Sequence, residues 1–375
     1  MFRPVKTVVL GCGKISEKYI PNLKNKYAII DLAGCCDVNA DNAKKKAEMF
    51  GIETYTMDQI LSDDTIELVV NLTPPALHYS IIKQLLEAGR NVYSEKVLAI
   101  NYEEARELAE IANQNHLYLG VAPDTFLGAA VQNANEIVKS GLIGEAKSCH
   151  AFVNRDSNTL GEFIPYMQKF GGGIGMDVGI YYITALLAIL GPVKNVAGMS
   201  FFPGTRVHRF PFTGNVNEPY EVTSESILTG TIEFASGVLG TLHFNADCIF
   251  PEQPQLVIYG TEGIVYMANP NEFGGQVSIL RKGQNQPVII PSNFGYGEES
   301  RGLGTAEMAW SMRAGRKHRA NEQLAVHALE VLHGIFKSGQ DHTFYQMEST
   351  FDRIPGLKPG YPDVNYPGDA EGSLV

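Results

Sequence analysis

A run of apolar residues, Val8-Val9-Leu10, breaks into Gly11-Cys12-Gly13-Lys14-Ile15-Ser16 and then into helix-forming sequence. A strand, a tight turn and a helix in that order leave a chain few folds to choose from. In such a turn Gly11 allows the sharp backbone bend, and Gly13 lets the main chain approach a pyrophosphate whose charge sits on the helix N-terminus. Gly11, Gly13, Lys14 and Ile15 are therefore candidates for holding a dinucleotide. The third position of this G-x-G-x-x-G-like pattern is Ser16, small but not glycine. Taken alone the pattern is weak, so its surroundings must carry it.

The next apolar run, from Ile29 to Cys36, ends at Asp37, where an acidic side chain binds a ribose 2′-hydroxyl. A 2′-phosphate would meet a like charge there, and Val38, Asn39 and Ala40 supply no arginine to neutralise it. NAD is thus expected over NADP. The competing reading of Asp37 is a cap for a helix over 40–50. Residues 1–122 continue to alternate strand-like runs (6–10, 29–36, 67–72, 91–94, 117–121) with amphipathic stretches (14–25, 40–50, 77–89, 102–115). That alternation predicts an α/β domain with a doubly wound parallel sheet.

Composition narrows the partners. With 375 residues the chain is long enough for two domains, and 44% hydrophobic and 19% charged residues are ordinary for a globular protein. A formal net charge of −11 argues against nucleic acid or an anionic membrane as partner, since both would repel it. Five cysteines, Cys12, Cys35, Cys36, Cys149 and Cys248, lie in or beside apolar runs and read as reduced core thiols. No C-x-x-C or H-E-x-x-H occurs, so no metal site is expected. No charged-then-apolar leader and no membrane-length apolar run is present, and the expected compartment is the cytoplasm.

After Pro123 the texture changes. A helix near 127–140 and a strand near 146–153 precede Phe170-Gly171-Gly172-Gly173, which opens an apolar helix over about 174–190. From 194 to 290, β-type runs (227–234, 238–245, 255–259, 263–267, 276–281) predict one large, mostly antiparallel sheet. Helical patterning returns near 303–315 and 321–338. The expected division is a nucleotide-binding domain over 1–122, an α+β substrate and oligomerisation domain over 123–345, and a Pro/Gly-rich tail over 346–375. Tyr345, Phe351, Tyr361 and Tyr366 argue that this tail packs on a surface.

Three further local sequences carry chemistry. Thr73-Pro74-Pro75-Ala76-Leu77-His78 follows a strand-like run, where ligands of an open α/β sheet bind; read blandly, it starts a helix with proline at its first turn and leaves His78 on the surface. Ser94-Glu95-Lys96-Val97 follows the next strand. By spacing it is a solvated ion pair, yet at the crevice of the sheet a lysine ammonium would stabilise alkoxide character on a substrate. In Gly171-Gly172-Gly173-Ile174-Gly175-Met176-Asp177-Val178-Gly179-Ile180-Tyr181, Asp177 and Tyr181 are four apart and share one face of a helix. They address a common ligand or satisfy each other's neighbours in the core.

Together these sequences resemble, over nearly the whole chain, the glucose-fructose oxidoreductase, inositol dehydrogenase and rhizopine-catabolism (Gfo/Idh/MocA) family of NAD(P)-dependent sugar dehydrogenases. That family has an N-terminal Rossmann unit, a T-P-x-x-x-H turn, an E-K-P motif, a G-G-G-x-x-x-D-x-G-x-[HY] helix start and a C-terminal α+β domain with a large open-faced sheet. Here the motifs stand at Gly11 to Ser16, Thr73 to His78, Glu95 to Val97 and Gly171 to Tyr181. The resemblance implies that Gly11, Gly13, Lys14, Ile15, Asp37, Thr73, Pro74, His78, Glu95 and Lys96 hold the cofactor. It implies that Lys96 also touches the reacting hydroxyl, that Asp177 bonds the sugar, and that Tyr181 is the acid/base, in place of the histidine of many members. Val97 replaces the motif proline, and Asp124-Thr125 stands where an arginine often precedes the phenylalanine, here Phe126.

The reaction so implied is oxidation of a secondary hydroxyl on a sugar or cyclitol, with the hydride passing to NAD⁺. Asp124, Asn154 and Arg155, with Asp156 beside them, are weaker candidates for holding neighbouring hydroxyls. A rival is an NAD-dependent glycosidase that oxidises, eliminates and re-reduces with NAD retained; a second is a non-catalytic nucleotide sensor. An uncovered sheet face predicts a homodimer or homotetramer.

Overall fold

The computed structural model describes residues 3–248, 255–353 and 355–359; the tail tyrosines Tyr361 and Tyr366 lie outside the described residues. The chain forms two compact units, the first from residues 3–129, 293–326 and 355–359, the second from 130–292 and 327–353. This differs from the expected linear division into 1–122, 123–345 and 346–375. Periodicity reports a helix's apolar stripe, not the unit that the stripe covers, so the return of 293–326 to the first unit left no trace in the pattern.

The first unit is built on six parallel strands, β1 (Val5–Leu10), β2 (Ile30–Cys36), β3 (Glu53–Thr54), β4 (Leu68–Asn71), β5 (Asn91–Ser94) and β6 (Leu119–Val121), in the order β3-β2-β1-β4-β5-β6. Val8, Val9, Leu68, Val69, Val70 and Val92 are fully buried. Covered on both faces, such strands read as continuous apolar runs. Between them run helices α1 (Ser16–Asn25), α2 (Ala40–Phe50), α3 (Met57–Ser62), α4 (Pro75–Glu87) and α5 (Tyr102–Gln114). The pair β3 and α3 was not anticipated: two and six residues are too short to show a period, and α3 is fixed by a capping box between Thr56 and Gln59. Strand order reverses between β1 and β4, which places the ligand crevice of such a sheet at the carboxyl ends of these strands.

The second unit contains α6 (Ala129–Lys139) from its second residue onward, then α7 (Ser157–Phe163), α8 (Ile180–Leu190) and a nine-stranded sheet. Its strands are β7 (Ala146–Asn154), β8 (Val193–Phe201), β11 (Ile227–Phe234), β12 (Leu239–Asn245), β13 (Gln255–Gly260), β14 (Gly263–Met267), β15 (Ser278–Arg281), β16 (Val288–Ile289) and β17 (Tyr345–Gln346), with a separate hairpin of β9 (Gly204–Val207) and β10 (Pro219–Val222). The sheet order is β16-β15-β14-β13-β7-β12-β11-β8-β17, and only the β7–β12 pair is parallel.

Alternation sorts the two faces. On β7, Cys149, Ala151 and Val153 are buried, while His150 and Phe152 point the other way and meet Tyr259 and His243. On the buried side the Tyr182 ring of α8 packs on Phe244 at 5.9 Å, and α8 is apolar nearly all round, as a core helix is. On the other face Met199 and Phe201 are 67% and 53% exposed.

The remaining helices are α9 (Leu303–Ala314) and α10 (Glu322–Asp341). Beyond α10, Glu330 accepts the N–H groups of Glu348 and Ser349 and the Tyr345 hydroxyl. Residues 345–349 are thus tied to α10.

Candidate active site

The N-terminal turn is shaped by the backbone. Gly11 has φ of +101°, and a Cβ there would stand 2.8 Å from the Leu72 main chain, so only glycine fits. Its N–H donates to the Cys36 carbonyl at 2.8 Å, which ties the turn to the end of β2. A Cβ on Gly13 would meet nothing within 4 Å. Helix α2 is capped by the Asn39 side chain, but α1 has no side-chain cap. The Ser16 hydroxyl, in the third glycine position, donates instead to the Gly13 carbonyl at 2.6 Å. The N–H groups of Gly13, Lys14 and Ile15 make no hydrogen bond among the described residues. An open glycine and uncommitted donors at a helix N-terminus fit a pyrophosphate.

Asp37 is half-buried at the end of β2. Its carboxylate accepts the N–H groups of Cys12 and Asn39, each at 2.8 Å. The helix cap that competed for it belongs to Asn39, which accepts from Asp41 at 3.0 Å. Two carboxylate oxygens keep acceptor capacity after two such bonds, so Asp37 fits a ribose hydroxyl while bracing the glycine turn.

The turn after β4 is held by side chains. Asn71 accepts from the Thr73 hydroxyl at 2.7 Å and donates to the Ser94 hydroxyl at 3.1 Å. Pro74 precedes α4 as its N-cap. His78 is fully buried, contrary to the surface position its spacing allowed. Its Nδ1 lies 2.6 Å from the Val97 carbonyl and its Nε2 2.8 Å from the Thr73 carbonyl, and burial lowers its pKa. With both ring nitrogens engaged, His78 braces the loops that carry Thr73 and Lys96.

Glu95 is 9% exposed and so is not a solvated carboxylate. One oxygen accepts the Tyr19 hydroxyl of α1 at 2.7 Å and the other the Lys96 N–H at 3.0 Å. It anchors Lys96 through the main chain, and the lysine side chain is half-buried. The Lys96–Val97 peptide is cis, as is Ala122–Pro123.

Asp124 departs from expectation. It is 1% exposed and accepts the N–H groups of Gly302 and Gly304, both at 3.0 Å, at the start of α9. Burial pushes its pKa up to about 6 against those bonds. A carboxyl held in this way braces the start of α9.

In the second unit the Gly171–Tyr181 segment is closely packed. A Cβ on Gly172 would overlap the Tyr166 main chain, and one on Gly173 would overlap the Glu225 carboxyl. The expected helix opens as a π turn, Gly175–Gly179, before α8 begins, a form that frequents functional sites. Gly179 lies flat on the Phe244 ring. Asp177 sits in the π turn, half-buried, with the Tyr166 hydroxyl 3.4 Å from its Oδ1. Tyr181 is in the first turn of α8 and 8% exposed.

Asp177 lines a small recess with Ser157, Gln168, Ser224, Glu225 and Ser226 among its walls. Glu225 was missed by sequence reasoning. It lies about fifty residues downstream in Thr-Ser-Glu-Ser, a context with no local signal. Asn154 and Arg155 follow one another at the end of β7, where the Arg155 N–H donates to the Asn245 carbonyl at 2.9 Å. Asp156 caps α7 by accepting from Thr159 and is thereby a structural group.

Comparison with known proteins agrees with this architecture. The model of an oxidoreductase family with an NAD-binding Rossmann fold matches residues 5–122, and that of the GFO/IDH/MocA C-terminal domain matches residues 131–266. An uncharacterized oxidoreductase of Schizosaccharomyces pombe is 28% identical over 201 residues, 52% of this chain and 53% of that protein. The chain therefore spans about half the length of that curated relative. The scyllo-inositol 2-dehydrogenase (NAD⁺) of Bacillus subtilis is 25% identical over 294 residues, covering 78% of this chain and 81% of that one. Among solved structures, an NAD-binding oxidoreductase from Klebsiella pneumoniae has the same fold, with a TM-score of 0.78 at 17% identity over 93% of this chain and 100% of that one. With both of its parts matched, the chain belongs to the GFO/IDH/MocA family of oxidoreductases.

Proposed function

We propose that the protein is an NAD-dependent dehydrogenase that oxidises a secondary hydroxyl of a sugar or cyclitol. The observation that carries the reading is the uncapped N-terminus of α1, with free donors at Gly13, Lys14 and Ile15 beside Asp37. Thr73 and Pro74 at the end of β4, and the Lys96 loop, supply the remaining edge of the cofactor site. Asp37 favours NAD, because a 2′-phosphate would face its carboxylate. Bound there, NAD⁺ supplies the hydride acceptor. Tyr181 takes the hydroxyl proton, Lys96 stabilises the alkoxide character that develops as the hydride departs, and Asp177 orients the substrate by accepting from a neighbouring hydroxyl. Asn154 and Arg155 remain candidates for a further hydroxyl. A second dehydrogenase of the family, acting on scyllo-inositol, supports a polyol as substrate class.

The exposed face with Phe152, Met199 and Phe201 supports assembly through the sheet with a second copy. Five free thiols fit a reducing compartment such as the cytoplasm. Among the described residues no helix is long and apolar enough to cross a membrane.

A panel of hexoses, amino sugars, cyclitols and glycosides incubated with NAD⁺, read for both NADH and organic product, tests the proposal. A cyclitol or sugar should give NADH and ketone in equal amounts, and Lys96→Ala should lower kcat at least a hundredfold while NAD⁺ still binds. Turnover that survives Lys96→Ala, or a glycoside cleaved with no net NADH, would overturn it.

A further inference from the structure

Glu225 is 1% exposed, and its environment is asymmetric. Oε1 accepts the Gly175 N–H at 2.9 Å, the first turn of the segment that carries Asp177 and Tyr181. The main chain of Glu225 also takes the Ile174 N–H at 3.3 Å. Oε2 is buried with no hydrogen-bond partner among the described residues. Gly173 lacks the Cβ that would displace this carboxyl, so the glycine run makes room for it.

The surroundings contain little to neutralise a charge. From the π turn the carboxylate of Asp177 faces it; from α7 and the segment before Gly171 come Ser157 and Gln168; from its own loop Ser224 and Ser226; from the end of β12 Ala246. Leu228 and Leu332, of β11 and α10, close the side next to Gly175. No cation is among these groups. An ionised carboxylate here is therefore disfavoured by burial and by Asp177, while the neutral acid keeps its grip on Gly175 through Oε1.

We infer that Glu225 is a positioning residue for Asp177 and Tyr181, whose carboxyl holds the π turn closed while neutral and lets it open when it ionises. The importance given to that turn rests on the dehydrogenase reading above. Burial, opposed by the N–H groups of Gly175 and Met176, pushes the carboxyl up to about 7. An opened turn returns Glu225 to water, where an ordinary glutamate titrates near 4.3. Between those two values the open form loses its proton while the closed form retains it. Opening thus becomes easier as pH rises, and levels off above the closed-state value.

Hydrogen exchange of the Gly175 and Met176 amides, corrected for intrinsic rate at each pH, measures this in the enzyme without substrate. From pH 5 to pH 8 their protection should fall by about tenfold or more in the wild type. In Glu225→Gln, which keeps the acceptor for Gly175 and cannot titrate, protection should stay level over the same range. A wild type that is flat, or a Glu225→Gln variant that follows the wild-type fall, would overturn the proposal. No alcohol is present, so the result decides on Glu225 whatever the substrate panel shows about Asp177 and Tyr181.

Discussion

Two glycine-rich turns, each leading into a helix, are used in opposite ways. At Gly11–Ser16, Gly11 abuts the Leu72 main chain, but Gly13 would carry a Cβ into empty space, and the donors behind it are uncommitted. At Gly171–Gly179 the glycines let protein in: Gly172 abuts the Tyr166 main chain, Gly173 the Glu225 carboxyl and Gly179 the Phe244 ring. The first is left open, as the proposed dinucleotide site requires, and the second is a joint filled by the chain itself. Glycine content alone therefore reports close approach, and only the neighbouring atoms show what approaches.

Substitution separates the two cases. Gly172→Ala should have the largest effect, because its Cβ would run into backbone that cannot move aside. A loss of about 3 kcal/mol in denaturant unfolding is expected, and a variant as stable as wild type would break the claim that the second turn is filled. Gly11→Ala should cost about 2 kcal/mol through its positive φ and the nearby Leu72 main chain. It should also weaken NAD⁺ binding, since the turn must shift; unchanged melting and unchanged affinity together would show that the φ constraint is relieved elsewhere. Gly13→Ala should move stability by less than about 0.5 kcal/mol, as nothing lies near its Cβ.

The strands β1, β2, β4, β5 and β6 were legible because they are largely buried and mostly apolar, whereas β3 is two exposed residues. The π turn at Gly175–Gly179 was read as an ordinary helix, since apolar spacing does not distinguish an extra residue per turn. His78 and Asp124 carried the right chemistry to suggest ligand contacts, but their partners, Val97 with Thr73 and Gly302 with Gly304, are set by tertiary packing. The same holds for Glu225, whose Gly175 contact spans 50 positions. The place of Asp37 at the end of β2 was legible in the sequence, whereas its bond to Cys12 required the fold.

Titration calorimetry of NAD⁺ and NADP⁺ into wild type and Gly13→Ala, with melting followed in the absence of dinucleotide, puts the cradle to its most direct test. The expected result is wild-type binding that favours NAD⁺, and a Gly13→Ala variant that melts like wild type yet binds NAD⁺ at least tenfold more weakly. Equal NAD⁺ affinity in the two proteins would contradict the assignment of the first glycine turn to a ligand.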